Sequence, residues 1–222
     1  MEVHMDNIKA VLFDFDYTLG NRYRYAYLSY SAFIREYLPD ITDEVFIEAL
    51  RQDMMYFDEY GNAGPRHVIR SLENKYGFSF PGVDFWQWWV ENQGKYACLY
   101  DDAVSTLDYL KKKYRLGIVT NGVTYSQRLK IRNCHIEDYF EHIVVSEDAG
   151  IKKPDPGIFE YACEQFGLKP EECLYIGDMI SNDVYGAVKA GMKAIWICKD
   201  EMRENMSSIP RISTLKELTE ML

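Results

Sequence analysis

The order of apolar and amphipathic segments predicts an α/β protein built on a parallel sheet and interrupted by one all-helical insert. Two observations carry this. Short, uniformly apolar runs alternate with helical stretches over the second half of the chain, and about 70 residues near the start contain helical patterns only. Strands covered by helices on both faces have no polar side, which is why such runs read as continuously apolar.

Taken in order, Lys9-Ala-Val-Leu-Phe-Asp14 predicts a buried strand that ends in an acid. Residues 22–95 then break the rhythm, with helices predicted over 25–38, 43–60, 65–76 and 83–93. Pro39-Asp40, Gly61-Asn-Ala-Gly-Pro65 and Phe80-Pro-Gly82 punctuate them. Further strands are predicted at 116–120, 142–145, 173–177 and 193–197, with helices at 102–114, 124–133, 155–166 and 182–190 between them and a short amphipathic helix at 214–222. This divides the chain into a core of residues 1–21 and 96–222 and a helical domain of residues 22–95.

Hydrophobic residues make up 47% of the 222, enough for a full core. The 35 acidic against 25 basic residues give a net charge of −10, which argues against nucleic-acid polymers and acidic membranes as partners. It leaves room for a small anionic metabolite, because a bound metal ion and one or two placed cations outweigh the global field locally. Cys98, Cys134, Cys163, Cys173 and Cys198 are widely spaced and odd in number, a pattern of reduced thiols in a cytoplasmic protein. The start lacks a long apolar stretch, so neither a signal peptide nor a membrane span is expected. A monomer or weak homo-oligomer is expected.

In open α/β sheets ligands lie beyond the carboxyl ends of the strands. Three separated segments therefore meet in one crevice: Asp14-Phe-Asp16-Tyr-Thr18, Thr120-Asn121-Gly122 and Gly177-Asp178-Met-Ile-Ser-Asn182-Asp183. Lys153, before Pro154, enters from the loop after the third strand. Carboxylates crowded together repel unless a cation or proton intervenes, and an oxygen-only donor set suits Mg²⁺. A carboxylate also attacks phosphorus to give an aspartyl-phosphate. In this reading Asp14 attacks, while Asp16 protonates the leaving oxygen and then activates water. Lys153 offsets charge on the phosphoryl oxygens. Thr120 and the backbone N–H groups after Gly122 hydrogen-bond those oxygens.

These residues resemble the haloacid dehalogenase (HAD) superfamily, whose four motifs occur in order as DFDYT, TNG, KKP and GDMISND. The resemblance spans nearly the whole chain and implies a Rossmann-like doubly wound core, a C1-type helical cap and a Mg²⁺-dependent phosphatase. It implies Asp14 as nucleophile, Asp16 as general acid/base, and Thr120 and Lys153 as phosphate binders with Asn121 beside them. Asp178 looks like the Mg²⁺ carboxylate ligand, joined by Asp14 and the main-chain carbonyl of Asp16. Thr18 and Asp183 look like supporting residues, Asp183 orienting Lys153 or metal-bound water.

The runs TNGVTYSQRLKI and YFEHIVVSEDAGIKKPDPGIFEYA resemble the pyrimidine 5′-nucleotidase branch, which favours nucleoside 5′-monophosphates and leaves sugar and glycolate phosphates open. Tyr17 stands where many members have Gly, a change expected to alter the turn after Asp14. Dehalogenases and phosphonate hydrolases of this type lack the second acid of DFDYT, so Asp16 argues for phosphate; a phosphomutase keeps both acids. A non-catalytic module on this fold is expected to have lost one of these groups, and none is missing.

In the helical insert, Trp86 and Trp89, three residues apart, are expected in its core. Arg22, Tyr23, Arg24 and Arg66 are candidates to contact the leaving group of a substrate, and the insert is expected to close over the site.

Overall fold

The computed structural model describes residues 7–199 and 208–222. Strand β1 (Ala10–Phe13) is followed by helices α1 (Arg22–Tyr37), α2 (Glu44–Phe57), α3 (Pro65–Tyr76) and α4 (Phe85–Asn92). Then come α5 (Ala103–Leu110), β2 (Arg115–Thr120), α6 (Thr124–Asn133), β3 (His142–Val145), α7 (Ser146–Ala149) and α8 (Pro156–Phe166). The chain closes with β4 (Cys173–Gly177), α9 (Tyr185–Lys189), β5 (Lys193–Ile197), β6 (Arg211–Ile212) and α10 (Leu218–Met221). Two compact units result: Met1–Asn21 with Leu99–Leu222, and Arg22–Cys98. No described helix is long and apolar enough to cross a membrane.

The first unit holds a six-stranded parallel sheet of order β3-β2-β1-β4-β5-β6. The order reverses direction at β1, so a crevice opens at the carboxyl end of β1 between β2 and β4. Alternate residues along each strand enter different cores. Val11 and Phe13 join Leu174, Ile176, Ile195 and Ile197 under α5, α6 and α10, while Ala10 and Leu12 join Tyr175 and Trp196 under α8 and α9. The sheet is thus buried on both faces, as its uniformly apolar strands require. On β2, Gly117 leaves room for the side chains of Leu12 and Phe166; a Cβ there would fall 2.6 Å and 2.8 Å from them.

Helix limits follow local chemistry. Asp155 caps α8 by accepting from the Gly157 N–H, Pro156 occupies its first turn, and Gly167 ends it with φ 62°. Three expectations need correction at element ends. The helix expected over 102–114 stops at Leu110, and that over 43–60 stops at Phe57, where Glu59 and Tyr60 take positive φ. That over 182–190 begins as a wide turn at Ile180–Val184 before α9. The amphipathic segment at 214–222 forms a 3₁₀ turn at Leu215–Glu217 and then α10. Strand β6 and helix α7, only a few residues each, were not anticipated from pattern.

The second unit has its own core, formed by Tyr30, Phe33 and Ile34 of α1, Leu50 and Met54 of α2, Val68 and Leu72 of α3, and Phe85, Trp88 and Trp89 of α4. Trp86 is 40% exposed, so Trp88 pairs with Trp89 in this core instead. Phe85, Trp88 and Trp89 stand at i, i+3 and i+4, one helix face. Arg22 is likewise not a surface residue. It is buried, forks onto Asp58 at 2.6 Å and 3.1 Å, and lies 5.8 Å from the Trp89 ring centroid. Tyr30 donates its hydroxyl to the same Asp58 at 2.9 Å. Tyr23, Arg24 and Arg66 are exposed.

Removing one partner of a buried ion pair leaves the other charge uncompensated, at a cost of about 3–5 kcal/mol. Asp58→Ala is therefore expected to lower the stability of the helical unit by about that much. Urea unfolding followed by tryptophan fluorescence checks it, since Trp86, Trp88 and Trp89 lie in this unit and only Trp196 lies outside it. A midpoint unchanged from the parent would show that the pair contributes nothing.

Candidate active site

Asp14 is the first residue beyond β1, and its N–H donates to the Ile176 carbonyl of β4 at 2.9 Å, so the ladder fixes its backbone. The chain then turns tightly. The Phe15 carbonyl accepts from the N–H groups of Thr18, Leu19 and Gly20 at 3.3, 3.0 and 2.7 Å. Tyr17 has φ 60°, the left-handed conformation that glycine reaches without steric penalty. Tyr17 thus adopts a left-handed turn conformation that a non-glycine residue rarely takes. Thr18 is fully buried, its carbonyl accepting from Lys199 at 3.2 Å.

Lys153 is the centre of the polar cluster. Its ammonium, 4% exposed as a residue, donates to Asp14 Oδ1 at 2.8 Å, Asp183 Oδ1 at 2.6 Å and the Tyr175 hydroxyl at 2.9 Å. All three ammonium hydrogens thus have acceptors. The Tyr175 hydroxyl gives its own hydrogen to the Val119 carbonyl at 2.8 Å, which leaves its lone pairs for Lys153. Burial alone would lower the lysine's proton affinity, but the attraction of Asp14 and Asp183 outweighs this and raises it.

Neighbouring residues hold this cluster in register. The Asn121 amide clamps the Lys153 backbone from both ends: Nδ2 donates to its carbonyl at 3.0 Å and Oδ1 accepts from its N–H at 2.8 Å. Asp183 accepts from the Met179 N–H at 2.9 Å and packs against Gly177, where a Cβ would sit 2.4 Å from the Asp183 Cβ. The N–H groups of Gly122 and Thr124, expected to face a phosphoryl group, instead donate to Ser146 Oγ at 3.0 Å and Glu147 Oε2 at 2.8 Å.

Asp14, Asp178 and Asp183 each offer a carboxylate oxygen, all within 4.8 Å of one another. Burial pushes the Asp14 carboxyl up to about 6, Lys153 opposing and Asp183 and Asp16 adding to the rise. Burial and the neighbouring carboxylates raise Asp178 well above the usual carboxylate range. Too much negative charge is thus gathered for the protein's own cations to balance. A hard divalent ion that takes oxygen ligands fits this donor set.

The carboxylate of Asp16 lies apart from that cluster. Both its oxygens accept from Lys130 Nζ, at 2.8 Å and 2.6 Å, and Oδ2 also accepts from Gln127 Nε2 at 3.3 Å. Gln127 Nε2 further donates to Thr120 Oγ1 at 2.6 Å and to the Asn121 carbonyl at 3.0 Å. Lys130, Gln127 and Tyr175 were not singled out from sequence. The available signal was the spacing of Gln127 and Lys130, three apart on one face of the helix that follows Thr120-Asn121-Gly122.

A family model for haloacid dehalogenase-like hydrolases matches residues 11–197. The chain is 32% identical to glyceraldehyde 3-phosphate phosphatase of Pyrococcus furiosus over 198 residues, covering 86% of this chain and 81% of that protein. It is 35% identical to human N-acylneuraminate-9-phosphatase over 138 residues, 60% of this chain and 56% of that protein. It is 34% identical to the pyrimidine 5′-nucleotidase YjjG of Escherichia coli over 124 residues, 54% of this chain and 55% of that one. Among solved structures, the HAD-hydrolase YfnB of Bacillus subtilis, bound to magnesium, superposes with a TM-score of 0.76 at 27% identity, over 96% of this chain and 98% of that one.

A ligand that binds only the native state stabilises it, by about 2.7 kcal/mol at a hundredfold excess over its dissociation constant. Mg²⁺ is therefore expected to raise the melting temperature of this chain, and Asp178→Asn to abolish the rise. Superimposable thermal-unfolding curves with and without millimolar Mg²⁺ would count against a cation site at the three carboxylates.

Proposed function

The chain belongs to the haloacid dehalogenase-like hydrolase family, and we propose that its reaction is hydrolysis of a small phosphate monoester through a phosphoryl-Asp14 intermediate. The observation that carries this reading is the different setting of two acids two residues apart. Asp14 is buried against Lys153 in the three-carboxylate cluster, whereas the Asp16 carboxylate is bound by Lys130 and 21% exposed. Different environments let neighbouring acids take different roles.

In the first step an Asp14 carboxylate oxygen attacks phosphorus. The bond from phosphorus to the leaving oxygen breaks, and protonated Asp16 gives its proton to that oxygen. In the second, water attacks the same phosphorus and gives a proton to Asp16. The Asp14–phosphorus bond breaks and inorganic phosphate departs. Lys153 neutralises charge on the phosphoryl oxygens. The Thr120 hydroxyl, which accepts from Gln127, keeps its own hydrogen to donate to one of them.

Asn121 supports the site through Lys153, its amide oxygen and one amide hydrogen engaging that residue's backbone. Asp183 orients Lys153. Asp14, Asp178 and the main-chain carbonyl of Asp16 are the residues to hold Mg²⁺, which when bound supplies charge neutralisation between carboxylates and phosphoryl oxygens.

The relatives named above are phosphatases of glyceraldehyde 3-phosphate and of an N-acylneuraminate 9-phosphate, and a pyrimidine 5′-nucleotidase. What these share is the phosphoryl monoester. The relative aligned over most of its length favours small sugar phosphates as the first class to assay, with nucleoside 5′-monophosphates second. A panel of both classes, assayed for phosphate release with Mg²⁺, tests the choice.

Asp14→Asn, nearly isosteric but unable to attack, is expected to lower turnover at least ~10³-fold while leaving circular dichroism unchanged. Radiolabelled substrate should transiently label the parent protein and leave this variant unlabelled. Substantial turnover by the variant, with deamidation excluded by mass spectrometry, would remove Asp14 from the nucleophile's role.

A further inference from the structure

We propose that Lys130 is a positioning residue for Asp16, holding its carboxylate in the orientation from which it activates water. The inference rests on the acid–base role proposed for Asp16. Lys130 lies on α6 and is 1% exposed, with Ile131 beside it in the core. Its ammonium reaches both Asp16 oxygens, at 2.8 Å and 2.6 Å, and sits 5.6 Å from the centroid of the Phe15 ring.

Three features separate this pair from an ion pair that merely holds the fold. The first is rotational. The terminal torsion of a carboxylate is soft, and a single contact would leave Asp16 free to swing; contact at both oxygens fixes its plane. The second is asymmetry. The lysine side chain is 2% exposed and the Asp16 side chain 21%, so the acid can meet a substrate and the lysine cannot.

The third is connection. Gln127, one turn before Lys130, links Asp16 to Thr120 and the Asn121 carbonyl with one amide nitrogen. Helix α6 therefore sets the acid's direction relative to the proposed phosphate-side residues. A buried ion pair is seldom the most stable filling for its site; an apolar side chain of similar size is often equal or better. Stability alone is a poor reason for a lysine here, and orientation of the acid is a sufficient one.

The test separates the two half-reactions. With p-nitrophenyl phosphate the leaving group needs little acid assistance, so the burst of p-nitrophenolate reports phosphoenzyme formation and the decay of protein-bound phosphate reports water activation. Lys130→Met is expected to slow the decay about 10²-fold, the scale of a misplaced reacting group, and to slow the burst far less. KM should stay within about threefold of the parent, because the lysine does not touch substrate. Lys130→Arg, which keeps the charge and can donate to both carboxylate oxygens, should recover part of the decay rate.

In the Asp16→Ala background, Lys130→Met should slow the decay by no more than about twofold further, since a residue acting through Asp16 has nothing left to act on. If Lys130→Met does not fold, Lys130→Gln carries the same cycle. Equal slowing of burst and decay, or factors that multiply in the double variant, would overturn the proposal and make Lys130 a structural residue. Normal phosphoenzyme decay in Asp16→Ala alone would instead refute the role of Asp16, a failure of the proposed mechanism that this cycle distinguishes from a failure of Lys130.

Discussion

The site depends on one ammonium group withdrawn from water. Lys153 is held by a carboxylate just past β1, a carboxylate in the turn after β4 and a phenol within β4. Each of these acceptors is itself fixed: Asp14 by the β4 ladder, Asp183 by the Met179 N–H, Tyr175 by the Val119 carbonyl. A buried ion pair adds little net stability once desolvation is counted, so its value here is positional. It ties the loop after β3 to the ends of β1 and β4 across the point where the strand order reverses. Gly177 is a further consequence, because any side chain there would occupy the space of Asp183.

Charge balance explains the rest of the crevice. One lysine against Asp14, Asp178 and Asp183 leaves the site anionic, and an anionic site would repel a phosphate monoester. Segregating Asp16 onto Lys130 keeps a fourth carboxylate out of that cluster. The two lysines thus divide four acids between a group suited to a cation and a single acid suited to proton transfer.

Much of this was legible in the sequence because buried parallel strands announce themselves as apolar runs, and polar residues directly after such runs lie at the crevice. Asp14, Thr120 and Asp178 are readable on that basis. Lys130 and Tyr175 are not. Each sits where pattern predicts a surface or a core position, and each has its partner supplied by a segment remote in sequence. The expected pairing of Trp86 with Trp89 does not form because the buried face of α4 starts at Phe85, which puts Phe85, Trp88 and Trp89 together. The burial of Arg22 is equally hard to read, since nothing near it in sequence foretells Asp58 or the Trp89 ring.

The central place of β1 also bears on how the chain is made. Phe13 pairs with Ile118 on one side and Ile176 on the other, so β1, which precedes the other five strands in the chain, is not completed until β4 emerges. At about 5–20 residues per second, on the order of ten seconds separate the emergence of β1 from that of its second neighbour. Meanwhile Arg22–Cys98, with a core of its own, emerges whole. Until β2 emerges, Ala-Val-Leu-Phe is an apolar segment with both edges unpaired, and one edge stays open until β4, the kind of segment that recruits other nascent chains. Lys9 on one side and Asp14 and Asp16 on the other bracket it with charge. Charges placed beside an apolar strand act as gatekeepers against aggregation, so neutralising Asp14 and Asp16 is expected to lower soluble yield.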